Sequence, residues 1–361
     1  VIGVNGAFIA APVTGVQRFA LQLLLGLLEA RPDLKIRVYV PPLPDSKQPL
    51  LDQLRDAGAE VVNGPSWTAN KQVFEQLGLP LLARADRVSC LLHLNNNVSL
   101  LRRRPQVCFV YDLAPLRLPD TYRRAYRLKF RATLAGIKRR RPTVVTLSEF
   151  SRRELESVGV SVAAVITGAV GSPMLLKAAA AESPPPDIEG AYAVVLGSAD
   201  PRKRVEEVIA AWPPVFATLG LRLAVVQGVA PTHRAVGAAP VAEPGVTRLG
   251  GRISDADLVR LMRGAQLAIF ASSYEGGALA AEEVLALGTP VVASDIPTFR
   301  ELLRSPVAFF GDLSELSDCC TRVLAAERPA AQSLEQVRAA WRTRGASLAE
   351  VIARTSEARA Q

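Results

Sequence analysis

Histidine and cysteine are scarce in this chain, two and four residues among 361. His93 and His233 are too few for a histidine-rich metal site. Cys90, Cys108, Cys319 and Cys320 do not make a disulfide framework. The adjacent pair Cys319-Cys320 suits neither a normal bridge nor the Cys-x-x-Cys spacing of a zinc site. Aromatic residues make up 6%, which leaves few stacking platforms for nucleic acid. No uncharged apolar stretch reaches about 18 residues, so no helix is expected to span a bilayer. The opening Val1-Ile2-Gly3-Val4 reads as a strand and lacks the charged start and small-residue cleavage site of a secretory signal. These absences lead to the expectation of a soluble protein in a reducing, cytoplasmic compartment. With 49% hydrophobic residues and only 25 glycines and 26 prolines, the chain is neither disordered nor collagen-like. Its length suggests two domains.

Acidic residues are nearly missing from one segment. Between Arg102 and Arg153 there are fifteen Lys or Arg and only three acids, Asp112, Asp120 and Glu149, for a net +12. The whole chain carries +9, so the remainder is slightly acidic and the basicity is local. Such a block attracts anionic lipid headgroups, phosphorylated substrates or nucleic acid. Within it Tyr122, Tyr126, Phe130, Leu134 and Ile137 recur near helical spacing, the pattern of a basic amphipathic helix. One reading packs the apolar stripe on a sheet and solvates the charges; another turns the arginines toward a membrane; the two are compatible.

Short apolar, β-branched runs alternate with helical patterns along the chain. Strands are expected at Val1–Val4, Ile36–Val40, Ala59–Val62, Val88–Leu94, Val107–Leu113, Thr143–Leu147 and Ala163–Ile166. After a break they resume at Tyr192–Leu196, Leu221–Val226, Thr247–Gly250, Ala265–Ala271, Pro290–Ser294 and Val307–Phe310. Helices are expected at Gly15–Ala30, Arg204–Leu219, Ser254–Gly264, Leu279–Leu287, Leu313–Glu327, Ser333–Trp341 and Ala346–Ala358. Strand–helix alternation means βαβ units and parallel sheets covered on both faces. Ser183-Pro184-Pro185-Pro186 reads as a stiff linker. The expectation is an α/β protein of two Rossmann-like, doubly wound domains facing across a cleft. An N-terminal acceptor-side domain takes residues 1–175, a proline-rich linker 176–190, a nucleotide-sugar-binding domain 191–340, and a last helix 341–361. Ligands in such folds sit beyond the carboxyl ends of the strands.

Three stretches at such ends carry chemistry. In Ser272-Ser273-Tyr274-Glu275-Gly276-Gly277-Ala278-Leu279, a strand gives way to a helix through two glycines. The free N–H groups and dipole of that helix start favour a phosphate. Glu275 precedes the helix and Glu283 lies about a turn inside it; carboxylates accept paired hydrogen bonds from vicinal hydroxyls. An acidic helix start stabilised by the dipole explains the same residues without a ligand. Asp200-Pro201-Arg202-Lys203-Arg204 follows another strand, and its cations oppose the dipole of the helix they open, which hints at a second purpose. Thr14-Gly15-Val16-Gln17-Arg18-Phe19 follows the first strand, with Thr14 as a cap. Asp255-Ala256-Asp257 resembles a metal motif but reads as a helix first turn after the N-cap Ser254. His93 ends a strand and is more often a satisfied core residue than a ligand. Trp67, Trp212 and Trp341 read as packing residues.

Together these stretches resemble the retaining glycosyltransferases of family four, which have the GT-B fold. The likeness is strongest from Val246 through Glu283 to Gly288-Thr289-Pro290-Val291-Val292-Ala293-Ser294-Asp295, and at Asp200-Pro201-Arg202-Lys203. Thr14–Phe19 is similar to a branch that builds bacterial surface polysaccharides; Asp112 and Ser148-Glu149-Phe150-Ser151 also fit. The resemblance implies that Arg202 and Lys203 neutralise a donor diphosphate, that Glu283 binds ribose, and that Glu275 contacts the transferred sugar. It places Gly276, Gly277, Ala278 and Leu279 on the sugar or phosphate, with Gly15 and Arg18 closing from the other domain. His93, Tyr111 and Asp112 become acceptor-side candidates. Two positions depart from the family pattern. The usual Glu-Gly-Phe-Gly-Leu-Pro is here Glu275-Gly276-Gly277-Ala278-Leu279-Ala280, and the usual His before the Asp is Tyr111.

The resemblance further implies a metal-independent enzyme without cofactor, a nucleoside-diphosphate sugar as donor (GDP-mannose first), and front-face attack with the leaving phosphate taking the acceptor proton. The acceptor would be a glycan or a lipid-diphosphate-linked sugar in surface polysaccharide synthesis, reached by a protein peripheral on the cytoplasmic face of the membrane. A soluble small-molecule acceptor, a nucleic-acid surface on the basic segment, or a binding protein that lost catalysis are the alternatives.

Overall fold

The computed structural model describes residues 1–11, 14–102, 105–167, 171–179, 188–198, 200–228, 243–249, 253–304 and 306–357. The chain divides into two compact units. One comprises Val1–Asp112, Lys129–Thr167 and Arg338–Gln361; the other comprises Leu113–Leu128 and Gly168–Val337. The division differs from a simple cut near residue 175. Residues 113–128 join the second unit, and the helix Pro173–Ala179 stands where the linker was expected to begin. The prolines 184–186 lie outside the described residues, as do Gly250, Gly251 and Arg252.

The first unit is built on β1 (Ile2–Asn5), β2 (Ile36–Val40), β3 (Glu60–Asn63), β4 (Cys90–His93), β5 (Gln106–Phe109), β6 (Thr143–Thr146) and β7 (Ala164–Val165). All pair in parallel, in the order β3-β2-β1-β4-β5-β6-β7. Central strands of such a sheet are covered on both faces, which explains why they read as continuous apolar runs rather than alternating ones. The helix Gly15–Ala30 packs against the long final helix Leu334–Glu357. A Cβ on Gly26 would lie 2.2 Å from the Trp341 carbonyl oxygen, and one on Gly345 would lie 2.1 Å from the Gly26 carbonyl carbon. The two backbones therefore touch. This contact also accounts for a difference from the sequence reading, which split the last helix around Gly345. That glycine is a point of close approach inside one continuous helix. Phe19 sits beside this crossing, its ring centroid 5.4 Å from Trp341, 5.9 Å from Phe109 and 5.8 Å from Tyr111.

The second unit carries β8 (Tyr192–Ser198), β9 (Arg222–Gly228), β10 (Val246–Leu249), β11 (Leu267–Phe270), β12 (Val291–Ser294) and β13 (Val307–Phe310). Its order is β10-β9-β8-β11-β12-β13, again parallel. All thirteen strands stand where the apolar runs placed them, with ends moved by a few residues. The helix expected at Arg204–Leu219 is two helices, Val205–Ala210 and Pro213–Leu219. Pro213 and Pro214 have no N–H to continue the first helix and start the second instead. Trp212 fills the core at this break, with its ring N–H donated to the Leu221 carbonyl at 3.0 Å. Trp67, read as a packing residue, is exposed. Ser254 caps its helix as expected, accepting the Asp257 N–H at 3.1 Å.

Candidate functional site

In the second sheet the chain leaves β8 toward β9 on one side and β11 toward β12 on the other. The carboxyl ends of β8 and β11 therefore flank a topological switch point, where open α/β sheets bind ligands. Both chemistry-bearing stretches of this unit sit there.

The turn after β8 is a short 3-10 helix, Pro201–Lys203. Asp200 caps it, its carboxylate accepting the Arg202 N–H at 3.0 Å. The same carboxylate takes Arg202 Nε and Nη2, each at 2.8 Å. On its face the Arg202 guanidinium carbon lies 5.7 Å from the centroid of the Tyr122 ring. Edge and face are both held, so the fork is fixed before any ligand arrives. Arg204, at φ 52°, turns the chain through the left-handed region into the next helix. Gly197 makes room for that return; a Cβ there would lie 2.4 Å from Val205 Cγ2.

The turn after β11 is joined to this one. Ser273 donates its N–H to the Arg202 carbonyl at 2.8 Å. Lys203 Nζ forms an ion pair with the Glu275 carboxylate. The two side chains keep 23% and 12% of their surface exposed, so water screens the pair only partly. Thr298 Oγ1 donates to the Glu275 carbonyl at 2.6 Å, and Tyr274 Oη accepts the Leu113 N–H at 3.3 Å. Ala278, at the N-cap of the helix Leu279–Ala286, offers no side-chain acceptor. Its side chain therefore satisfies none of the first N–H groups of that helix. Gly276 and Ala278 are buried, while Gly277 and Leu279 are half-buried. Glu283 is half-buried in the second turn of the helix, and Glu282 beside it faces inward.

The structure thus brings Arg202, Lys203 and Glu275 into one cluster, next to the turn Gly276 to Leu279. Sequence reading missed Tyr122, Tyr274 and Leu113. It placed Tyr122 on the apolar stripe of the basic helix, but that helix starts at Arg124. Tyr122 lies before it, stacked on Tyr126 with centroids 5.6 Å apart. No local pattern marks a ring that meets an arginine eighty residues away.

The first unit has its own switch point between β1 and β4. Gly15, exposed, and Arg18, half-buried, open the helix that follows β1. Two of the acceptor-side candidates, His93 and Tyr111, are buried here. His93 is fully buried, with Nε2 2.9 Å from Gln106 Oε1 and Nδ1 3.3 Å from the Asn5 amide nitrogen. Gln106 Oε1 accepts and Asn5 Nδ2 donates, so both contacts are met by a neutral ring protonated at Nε2. Burial lowers its pKa to about 4, against the opposing pull of the Gln106 hydrogen bond. Tyr111 is buried too, its hydroxyl donated to the Leu94 carbonyl at 2.8 Å, and burial raises its pKa. The polar atoms of both side chains meet partners inside the unit. Asp112 is half-buried at the end of the same stretch.

Comparison with known proteins bears on the second unit most directly. Residues 190–326 match the family described as glycosyl transferases group 1. Among curated proteins, none matches the chain. Solved structures share its fold over nearly their whole length. Sucrose-phosphate synthase from Thermosynechococcus elongatus is 16% identical with a TM-score of 0.59, covering 100% of this chain and 97% of its own. Anabaena HepE in complex with UDP and glucose is 17% identical with a TM-score of 0.57, covering 99% and 97%. WaaG, a glycosyltransferase involved in lipopolysaccharide biosynthesis, is 14% identical with a TM-score of 0.56, covering 99% and 98%. Two Rossmann-like domains of the GT-B type are the fold of this protein.

Proposed function

We propose that the protein is a retaining, metal-independent glycosyltransferase that moves a sugar from a nucleoside-diphosphate sugar to a glycan or lipid-linked acceptor. The observation that carries this reading is the cluster of Arg202, Lys203 and Glu275 at the β8/β11 switch point of a glycosyltransferase group 1 domain. The leaving diphosphate gathers negative charge as the glycosidic bond breaks. Lys203, Arg202 and the N–H groups opening Leu279–Ala286 would favour that charge more than the ground state. Glu275 holds Lys203 in place until the diphosphate competes for it, and then has a carboxylate for the hydroxyls of the transferred sugar. Glu283, one turn further, is offered to the ribose. The leaving phosphate takes the acceptor proton in a front-face attack.

GDP-mannose is the first donor to try, on the resemblance to polysaccharide-building relatives. UDP-glucose joins it because the HepE complex holds UDP and glucose. Thermal unfolding with a panel of nucleoside diphosphates identifies the base, since a ligand at a hundred times its dissociation constant adds about 2.7 kcal/mol. Mass spectrometry of the products with the matching donor then reads transfer. Stabilisation by one nucleotide, lost in Lys203→Ala and Glu283→Ala, is the expected result. Unchanged binding and turnover in Lys203→Ala, Glu275→Ala and Glu283→Ala would remove this site.

A further inference from the structure

We propose that Glu75, held by Asn5 and Asn95, is a specificity-determining residue of the first unit: it takes the vicinal hydroxyls of an uncharged sugar and turns away a sugar that carries an anionic group in their place. That the sugar is the acceptor rests on the sugar-transfer reading; the selectivity belongs to this unit alone.

Glu75 is 2% exposed, and a carboxylate so far from water needs partners for its charge. Those it has are neutral. Asn5 and Asn95 donate their amides to the same oxygen, Oε1, at 3.2 and 2.7 Å. Among the described residues no hydrogen bond reaches Oε2, and no Lys or Arg forms an ion pair with this carboxylate. Lys71, half-buried four residues earlier, feels the Glu75 charge without pairing with it. Burial pushes the Lys71 pKa down against that attraction, and Lys129 adds to the fall.

The backbone brings these groups together. Glu75 lies in a π-helical turn, Phe74–Gly78, set between the α-helical turns Lys71–Val73 and Leu79–Ala85. Such wide turns recur at functional sites. Asn96, at φ 46°, takes the left-handed region directly after Asn95, and its side-chain oxygen accepts the Tyr111 N–H at 2.8 Å. Asn5 is fixed in orientation, because its Oδ1 accepts the Ala7 N–H at 3.1 Å and leaves Nδ2 to face Glu75. Asn5 ends β1 and Asn95 follows β4 by two residues, so the cluster stands at the switch point of this sheet.

A carboxylate oxygen beside two amides matches the neighbouring hydroxyls of a pyranose ring, each of which can donate and accept. A phosphate or a second carboxylate would meet Glu75 as a like charge. A metal ion does not fit: among the described residues no group of three His, Cys, Asp or Glu could hold one.

Saturation-transfer NMR of the full chain with the methyl α-pyranosides of mannose, glucose and galactose, each set against its uronic acid counterpart, tests this. At least one neutral glycoside is expected to receive magnetisation, with its uronide bound more weakly. Glu75→Gln keeps the shape and the amide contacts but removes the charge. It is expected to weaken glycoside binding by about tenfold and to narrow the preference over the uronide. Stabilisation of the variant by the nucleoside diphosphate is expected to persist, which shows that it is folded. Asn95→Ala, at a half-buried position, is expected to weaken the glycoside in the same way. No transfer to any neutral glycoside, binding unchanged in both variants, or a preference over the uronide that Glu75→Gln leaves fixed would overturn the proposal. Glycoside binding that depends on Glu75, in a protein that transfers no sugar from any donor, would support this site and overturn the sugar-transfer reading instead.

Discussion

Lys203 and Arg202 differ in how much each must move to meet a diphosphate. Arg202 is clamped by Asp200 on its edge and Tyr122 on its face. Lys203 is held by one carboxylate, Glu275, and is a point charge on a flexible stem. Removing the lysine takes away transition-state charge stabilisation and leaves Glu275 without its counter-ion. Lys203→Ala is expected to lower kcat/KM by about a hundredfold, the scale of losing one preorganised donor, read with the donor that the nucleotide panel selects. Tyr122 works through Arg202. Tyr122→Ala is expected to weaken nucleoside diphosphate binding by about 0.5–2 kcal/mol, and Tyr122→Phe, which keeps the ring, to leave it nearly unchanged. Isothermal titration with the same nucleotide separates these outcomes.

His93 gives a prediction about stability and acid. Its folded pKa, about 4, lies below the ordinary value near 6.5, so between those limits the unfolded chain binds the extra proton. Stability from this residue is complete above about pH 6.5 and is lost as pH falls toward 4. The loss amounts to about 3 kcal/mol, from 1.36 kcal/mol per pKa unit. Protonation at Nδ1 would set a donor against the Asn5 amide. Urea unfolding from pH 7 to pH 4 should show this slope, and His93→Gln should flatten it. A slope unchanged by the substitution would mean that another group carries the acid sensitivity.

Elements are held by contacts that a local pattern reads only in part. The crossing of Gly15–Ala30 with Leu334–Glu357 depends on two glycines whose backbones leave no room for a side chain. Gly26→Val is expected to cost about 1–3 kcal/mol or more by forcing the helices apart. Gly345→Val should do likewise, and the two together should cost less than their sum, since either already opens the crossing. Thermal unfolding of the single and double variants checks both statements. The thirteen strands were legible because buried parallel strands are uninterrupted apolar runs; Lys203 and Glu275 stood out only through the resemblance to a glycosyltransferase family, since an acidic helix start explains Glu275 without a ligand. Tyr122 was not, because its partner comes from a distant part of the chain. Nor was the fate of His93 and Tyr111, since a polar residue at a strand end reads the same whether its partner is Gln106, the Leu94 carbonyl or a substrate. Gly345 shows the same ambiguity: glycine marks both a break in a helix and a place where another backbone comes close.

At the scale of the whole molecule, neither unit is one continuous piece of chain. The chain passes between them after Asp112, after Leu128, after Thr167 and after Val337. A single cut in the proline run 184–186 would leave an N-terminal fragment that still holds residues 113–128 of the second unit. The C-terminal fragment would still hold the stretch from Arg338 that completes the first. Each fragment would owe the other a buried segment: Tyr122 beneath Arg202 in one direction, Trp341 against Phe19 and Gly26 in the other. Leaving those segments would expose apolar surface at about 25 cal/mol per Å². With a protease site inserted at 184–186, the cleaved protein is therefore expected to elute as one species in native size exclusion and to separate only in denaturant. Fragments that part under native conditions would mean that 113–128 and the last helix are not integral to the units they join, and that the clamp on Arg202 forms without them.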